Sequence, residues 1–380
     1  MPIPRRRPTL TNLRHAPRFA ALLAAAACGG AEPPVSGTVE AYGLSVARES
    51  LGGDVFNLFT WPDYLDPELV REFEDAYGVR VQIDYYDTNE AMIAKLQAGG
   101  TGQYDLVVGS DYAVAVLVEQ DLLEPLDLSL IPNLDNLDER FAAQSVEGED
   151  RYAVPYLWGT SGLGVRSDLV PDGAPESWAL VFDPGEDPGP FTMMNDVRET
   201  IGAALLYLGH SANSTDPGEL AEAERLLMEQ RGRVLTYAPF ATARDLLGSG
   251  DAHVVHNFSG DILMLREEVP EVRYVIPREG AIVWTDNMAV PRGAPHKRLA
   301  EVFVNFILDP RVGARLSEFA HYPTPNRAAL PLVDAELRAD RSVYPDSAVL
   351  ERLEVMRDVG EARALYDRIW TRLRAGAGGG

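Results

Sequence analysis

Cysteine occurs once in the 380 residues, at position 28, so no disulfide can form within the chain. Long apolar runs are equally scarce. Beyond the short stretch 19–27 there is no run of eighteen apolar residues, which excludes a membrane-spanning helix in the remainder. Basic residues are outnumbered: 34 Lys and Arg stand against 58 Asp and Glu, a formal charge of −24. Such a surface repels nucleic acid and attracts cations. The Gly-x-x-x-x-Gly-Lys phosphate loop, the Gly-x-Ser-x-Gly elbow and the His-Glu-x-x-His zinc motif are missing. His253 and His256 are the one close histidine pair, and strand alternation would send them to opposite faces. No metal site and no cofactor are therefore expected.

The N-terminus carries the most specific local signal. Its first 27 residues hold five arginines (5, 6, 7, 14 and 18) and no acid, and the basic region precedes a short apolar run. This pattern reads as a secretory signal over residues 1–27, too short to span a bilayer. Small residues at 24–27 lead directly into Cys28, so the segment resembles a bacterial lipoprotein signal in which Cys28 is lipidated. Ala25 stands where leucine is usual, which leaves ordinary cleavage after Ala27 as the alternative. Loss of the five arginines takes the charge to −29. Residues 28–53, rich in Gly, Ala, Pro and Ser without periodicity, read as a flexible tether.

From residue 54 the pattern alternates. Strands at 55–59, 79–84 and 105–108 are separated by helices at 67–77 and 89–98; Asp66-Pro67 opens the first helix, and glycines end both. That order predicts a parallel sheet covered by helices, and the chain length predicts two domains. Residues 151–158 and 162–165 read as two short strands around 159–161, suited to a chain crossing between domains. A second unit opens near Asp168, with strands at 191–194, 252–256, 272–276 and 281–290. Its helices fall at 196–208 and 217–230. Further helices are expected at 299–308, 310–319, 349–356 and 361–373.

Candidate chemistry sits at strand ends, where open α/β sheets bind ligands. Trp61, Asp63 and Tyr64 follow the first strand. An indole, a carboxylate and a phenol so close together suit an organic cation, although a Trp that anchors a loop beside a turn-forming Asp explains them too. Ser110, Asp111 and Tyr112 occupy the equivalent position after 105–108 and should lie beside Trp61. Phe258 and Asp261 repeat the theme after 252–256. Trp284 and Asp286 point to one side of their strand by period-two alternation, and a buried Asp beside a Trp is costly without a partner. Asp196 and Glu199 share a face of a first helical turn, where acids also stabilise a helix by capping and dipole alone. Three repeats of ring beside acid predict a cleft lined with both.

These residues carry a family resemblance. The stretches Asn57 to Tyr64, Glu72-Phe73-Glu74, Tyr104 to Val108, Tyr152 to Gly164, Asp196 to Glu199, Gly280 to Val290, Tyr322 to Asn326 and Tyr344-Pro345-Asp346 are similar to those of the spermidine/putrescine-binding proteins of bacterial polyamine ABC importers. The resemblance implies the type II periplasmic binding protein fold: two α/β lobes, each a mostly parallel sheet flanked by helices, with a hinge between them. One lobe would hold 54–160 and 285–330, the other 161–284 and 331–376. It also implies a non-enzymatic, monomeric, extracytoplasmic protein that hands a polyamine to a membrane permease driven by a separate ATPase. Trp61 and Trp284 would be the aromatic walls, with Asp63, Asp286 and Glu199 near the ammonium groups. Asp196 matches an acid of the spermidine binders and Asp261 one of the putrescine binders; Tyr64, Tyr112 and Tyr322 would line the site, with Ser110 and Asp111 at its edge. Phe258 stands where the family has Trp, and Met356 falls near a Gln of the spermidine binders, so ligand length stays open. The same fold binding another small organic cation, a ligand-presenting sensor of that fold and a secreted hydrolase using Asp196 and Glu199 are the alternatives.

Overall fold

Two wings of parallel strands flank a pair of long antiparallel strands in one continuous sheet. In the computed structural model, which describes residues 37–142, 146–147 and 150–375, Val55–Thr60 runs parallel to Arg80–Tyr85 and to Leu106–Ser110. In the second wing Phe191–Met194 lies parallel between Val234–Ala238 and Val254–Phe258. Between the wings, Ala153–Arg166 and Ala281–Pro291 pair antiparallel from Ala153 opposite Ala289 to Thr160 opposite Val283. Each then joins a wing: Ala281–Pro291 pairs with Leu106–Ser110, and Ala153–Arg166 with Val254–Phe258 and Val272–Val275. Helices cover both wings, giving the two-lobed α/β architecture that the sequence predicts, and the chain passes between lobes inside unbroken strands.

Local chemistry fixes the covering helices. Pro67–Tyr77 starts with the Asp66 carboxylate accepting from Glu68 N at 2.7 Å and Pro67 in the first turn, and it ends at Gly78, whose φ of 66° suits glycine. Its buried residues Leu69, Phe73 and Tyr77 recur every four positions and so form one stripe. Phe73 meets Phe56 of the sheet at 5.9 Å and Phe303 of the Lys297–Ile307 helix at 5.0 Å. Truncating such a buried ring to alanine costs about 3–5 kcal/mol, so this contact fastens helix to sheet. In the second lobe the C-terminal helix Arg363–Ala375 docks through the Tyr366 hydroxyl, which donates to Ser214 O at 2.8 Å, and through an Arg372–Glu224 ion pair at 2.8 Å.

Four sequence expectations need correction. The two short strands expected at 151–158 and 162–165 are one 14-residue strand, Ala153–Arg166. Its glycines serve close approach instead of a break. A Cβ at Gly159 would come within 2.6 Å of the Trp284 ring, and one at Gly162 within 2.4 Å of Val275 O. The expected tether is ordered over much of its length: Thr38–Ala41 and Leu44–Ala47 form a hairpin turned by Tyr42 and Gly43, both at positive φ. Tyr42 clamps it down, packing edge-on against Phe306 at 4.7 Å and donating to Glu72 Oε1 at 2.8 Å. Residues 349–356 contain the end of a four-residue helix, Ser347–Leu350, and then a strand, Leu353–Val355, because the edge of Ala281–Val283 offers it a parallel ladder. Finally, Val234–Ala238 and the helix Phe240–Ser249 fall where the sequence suggested no element. The signal segment, Cys28 and residues 376–380 lie outside the described residues, so the expected signal peptide and lipidation are untouched by the structure.

Candidate functional site

The wings present their strand ends to one another, and all thirteen residues singled out from the sequence line a single crevice there. Trp61, Asp63 and Tyr64 follow Val55–Thr60; Ser110, Asp111 and Tyr112 lead from Leu106–Ser110 into the helix Asp111–Glu119. From the other wing come Asp196 and Glu199 at the start of Val197–Tyr207, and Phe258 and Asp261 where Val254–Phe258 enters Ser259–Glu268. Trp284 and Asp286 sit midway along Ala281–Pro291, between the wings, and Tyr322 follows the Pro310–Ala320 helix. The space they surround is about 910 Å³, counted out to its open mouth.

Rings form a continuous wall. Trp284 packs edge-on against Tyr322 at 5.1 Å and Phe258 at 5.6 Å, and Tyr322 meets Tyr64 at 5.6 Å. Trp61 lies between Tyr86 at 4.4 Å and Phe240 at 6.4 Å, and Phe240 meets Phe258 at 6.0 Å. Glycine makes room for this wall, since a Cβ at Gly260 would meet the Tyr322 ring at 2.5 Å. The indole N–H groups of Trp61 and Trp284 are buried and find no hydrogen-bond partner among the described residues.

Among the side chains that line the crevice, charge has one sign. Asp63, Asp87, Asp111, Asp196, Glu199, Asp261 and Asp286 line it, and among the described lining residues none is Lys, Arg or His. Asp286 is 3 % exposed and accepts from Ser110 Oγ at 2.7 Å, and Ser110 is itself held by Asn89 Nδ2 at 3.1 Å. Burial pushes the Asp286 carboxyl up to about 7, against the pull of the Ser110 hydroxyl. Burial and then the neighbouring Asp196 push Glu199 up to about 8, and its Oε2 has no hydrogen-bond partner. Asp196 is the N-cap of its helix: Oδ1 accepts from Arg198 N at 2.8 Å and from Glu199 N at 3.0 Å. The capping explanation of the Asp196/Glu199 pair is therefore true of Asp196, yet both carboxyls still face the crevice. Asp111 is the most committed acid, accepting from Thr285 N at 3.0 Å and Asn287 Nδ2 at 3.1 Å, so it pins the crossing strand. Tyr112 donates to Glu90 Oε1 at 2.9 Å and lies under the Arg198 guanidinium.

Sequence reasoning missed several participants. Arg244 on the Phe240–Ser249 helix reaches both Asp63 Oδ2, at 3.1 Å, and Asp261 Oδ1, at 3.4 Å, while the Tyr322 hydroxyl donates to Asp261 Oδ2 at 3.0 Å. No element was expected at 234–249, so neither Arg244 nor Phe240 could be placed. Met356, which the resemblance put near a ligand residue, does line the crevice. The two histidines part company: His253 Nδ1 lies 3.0 Å from Pro188 O, whereas His256 is buried against Trp178 with its ring centroid 5.0 Å away. His256 Nε2 stands 3.9 Å from Glu199 Oε2, and burial drives that imidazole down to about 3, leaving it neutral.

Comparison with known proteins gives the same picture. Residues 68–342 match the bacterial extracellular solute-binding protein family. The spermidine/putrescine-binding periplasmic protein of Salmonella typhimurium is 33 % identical over 336 residues, 88 % of this chain and 96 % of that protein. A putrescine/cadaverine-binding protein of Pseudomonas aeruginosa is 32 % identical over 344 residues, 87 % of this chain and 96 % of its own. Among solved structures, the spermidine/putrescine ABC transporter substrate-binding protein PotD of Streptococcus pneumoniae superposes with a TM-score of 0.73 at 30 % identity, over 85 % of this chain and 99 % of that one. With strand ends from two α/β lobes meeting across one acidic, ring-lined crevice, this chain belongs to the bacterial extracellular solute-binding protein family.

Proposed function

We propose that this protein captures a linear polyamine in the crevice between its lobes and delivers it to an ABC importer. The observation that carries the reading is the composition of that crevice: seven carboxylates, no basic side chain among the described lining residues, and rings from both lobes. A polyamine is an apolar rod with a positive charge every few carbons. Ring faces attract its cations and cover its methylenes, and carboxylates at intervals pair with its ammonium groups. In a dry cleft each such charge-assisted hydrogen bond contributes about 1.5–3 kcal/mol. The relatives named for spermidine, putrescine and cadaverine support the same chemistry.

In this reading Trp61 and Trp284 are the facing walls, and Asp286, Glu199 and Asp196 hold ammonium groups. Tyr64, Tyr112, Phe258 and Tyr322 line the rod, while Ser110 and Asp111 shape the edge. The lobes divide near 160/161 and 284/285, inside the crossing strands, and near 330/331. The protein works as a monomer, tethered outside the cytoplasm by a lipid on Cys28, with a permease and its ATPase as partners. No helix among the described residues is long and apolar enough to cross a membrane. Calorimetric titration with putrescine, spermidine and an uncharged diol of equal length tests the central point. Both amines should bind and the diol should not; equal affinity for the diol would remove charge pairing as the basis of recognition.

A further inference from the structure

Two of the crevice carboxylates already hold a cation, and it belongs to the chain itself. Asp63 stands in the loop after Val55–Thr60 in one wing and Asp261 on the Ser259–Glu268 helix of the other, and Arg244 pairs with both, at 3.1 and 3.4 Å. The guanidinium thus ties an acid of one lobe to an acid of the other. A rigid, divergent fork of N–H groups suits this task, because it can satisfy two carboxylates at once. The Asp261 half of the bridge is shielded, with the Arg244 and Asp261 side chains 21 % and 7 % exposed. Asp63 is 56 % exposed, so its half is screened by solvent.

The acids left for a ligand are few. Asp87 is exposed to solvent and Asp111 is committed to Thr285 and Asn287, which leaves Asp286 between the wings, and Asp196 with Glu199 at the helix start. We propose that Arg244 is a specificity-determining residue: by occupying Asp63 and Asp261 it restricts the crevice to a linear cation with two ammonium groups. The inference rests on the amine reading above. A diamine sets its charges at Asp286 and at Asp196/Glu199 and leaves the bridge intact. A triamine needs a third acidic partner shielded from solvent, and the one that remains is Asp261 in the bridge, since the exposed Asp87 is screened by water. Its third ammonium must either displace Arg244 from two carboxylates or lie beside a like charge, and both penalise the longer ligand without touching the shorter.

The test is calorimetric titration of the wild type, Arg244→Gln and Arg244→Lys with putrescine and with spermidine, with thermal melts confirming that each variant folds. The wild type and the Lys variant should bind putrescine more tightly. The Gln variant should gain about tenfold in spermidine affinity relative to putrescine, the size expected when two freed carboxylates replace a like charge. An unchanged ratio in Arg244→Gln would overturn the proposal. So would equal losses for both amines, which would assign Arg244 only to holding the lobes together. If the wild type binds neither amine, the polyamine reading itself fails and takes this proposal with it.

Discussion

Asp286 shows how a single residue is set for a cation. Its carboxylate is buried beside Trp284, where an unpaired charge is costly, and the groups that face it, the Ser110 hydroxyl, Tyr64 and Trp61, are all neutral. A ligand that donates and carries positive charge supplies the compensation these neutral groups do not. Asp286→Asn keeps the shape and the Ser110 contact but turns an acceptor into a donor facing an ammonium group. Putrescine affinity should fall by about tenfold or more, the loss of one charge-assisted hydrogen bond, while the protein stays folded. Calorimetric titration of the variant beside the wild type decides this; unchanged affinity would mean the ligand lies elsewhere in the crevice.

At the scale of elements, the start of Val197–Tyr207 performs two tasks that one residue can separate. Asp196 caps the helix through its Oδ1, and an N-cap is worth about 0.5–2 kcal/mol. Asparagine caps equally well but carries no charge. Asp196→Ala should therefore lower the melting temperature by about 2 °C and also weaken amine binding, whereas Asp196→Asn should weaken binding alone. Melting curves paired with titrations check the split; if Asp196→Asn binds as well as the wild type, the residue is a cap and nothing more. The same helix shows why much of the molecule was legible in the sequence. Asp66-Pro67, Gly78 and Asp196 act within a few residues of themselves, and period-two alternation does place Trp284 and Asp286 in one crevice. Where partners were distant in sequence, the sequence was silent or misleading. Gly159 looked like a break because the ring it admits, Trp284, lies 125 positions away. Leu353–Val355 had helical spacing but found a strand edge, and Arg244 acquires its role only when Asp63 is brought across from the other lobe.

For the molecule as a whole, the crevice couples folding to pH through its buried acids. Asp286 is raised from an ordinary value of 3.8 to about 7 and Glu199 from 4.5 to about 8, chiefly by burial, while Asp196 is raised in the same sense. A raised carboxyl holds its proton in the folded state over a range where the unfolded chain has released it. Its contribution to stability is therefore complete below about pH 4 and is lost as pH rises through 7 and 8. Acids held below their ordinary range, such as Asp138 beside Arg140 and Asp168 beside Arg166, act the other way, but they lose their stabilisation only as pH falls below about 4. His256, driven down to about 3, stays neutral throughout the interval. The ligand-free protein should therefore lose melting temperature between pH 5 and pH 8. A polyamine, whose amines stay protonated to about pH 10 if they resemble lysine, binds the ionised carboxylates and opposes that loss. Each tenfold gain in affinity as Asp286 and Glu199 ionise adds about 1.4 kcal/mol of ligand stabilisation, or about 2 °C in a protein of this size. Saturating putrescine should thus raise the melting temperature by several degrees more at pH 8 than at pH 6, and Asp286→Asn should flatten that difference. A ligand-induced shift that does not change with pH would mean that the two acids do not ionise against the bound cation.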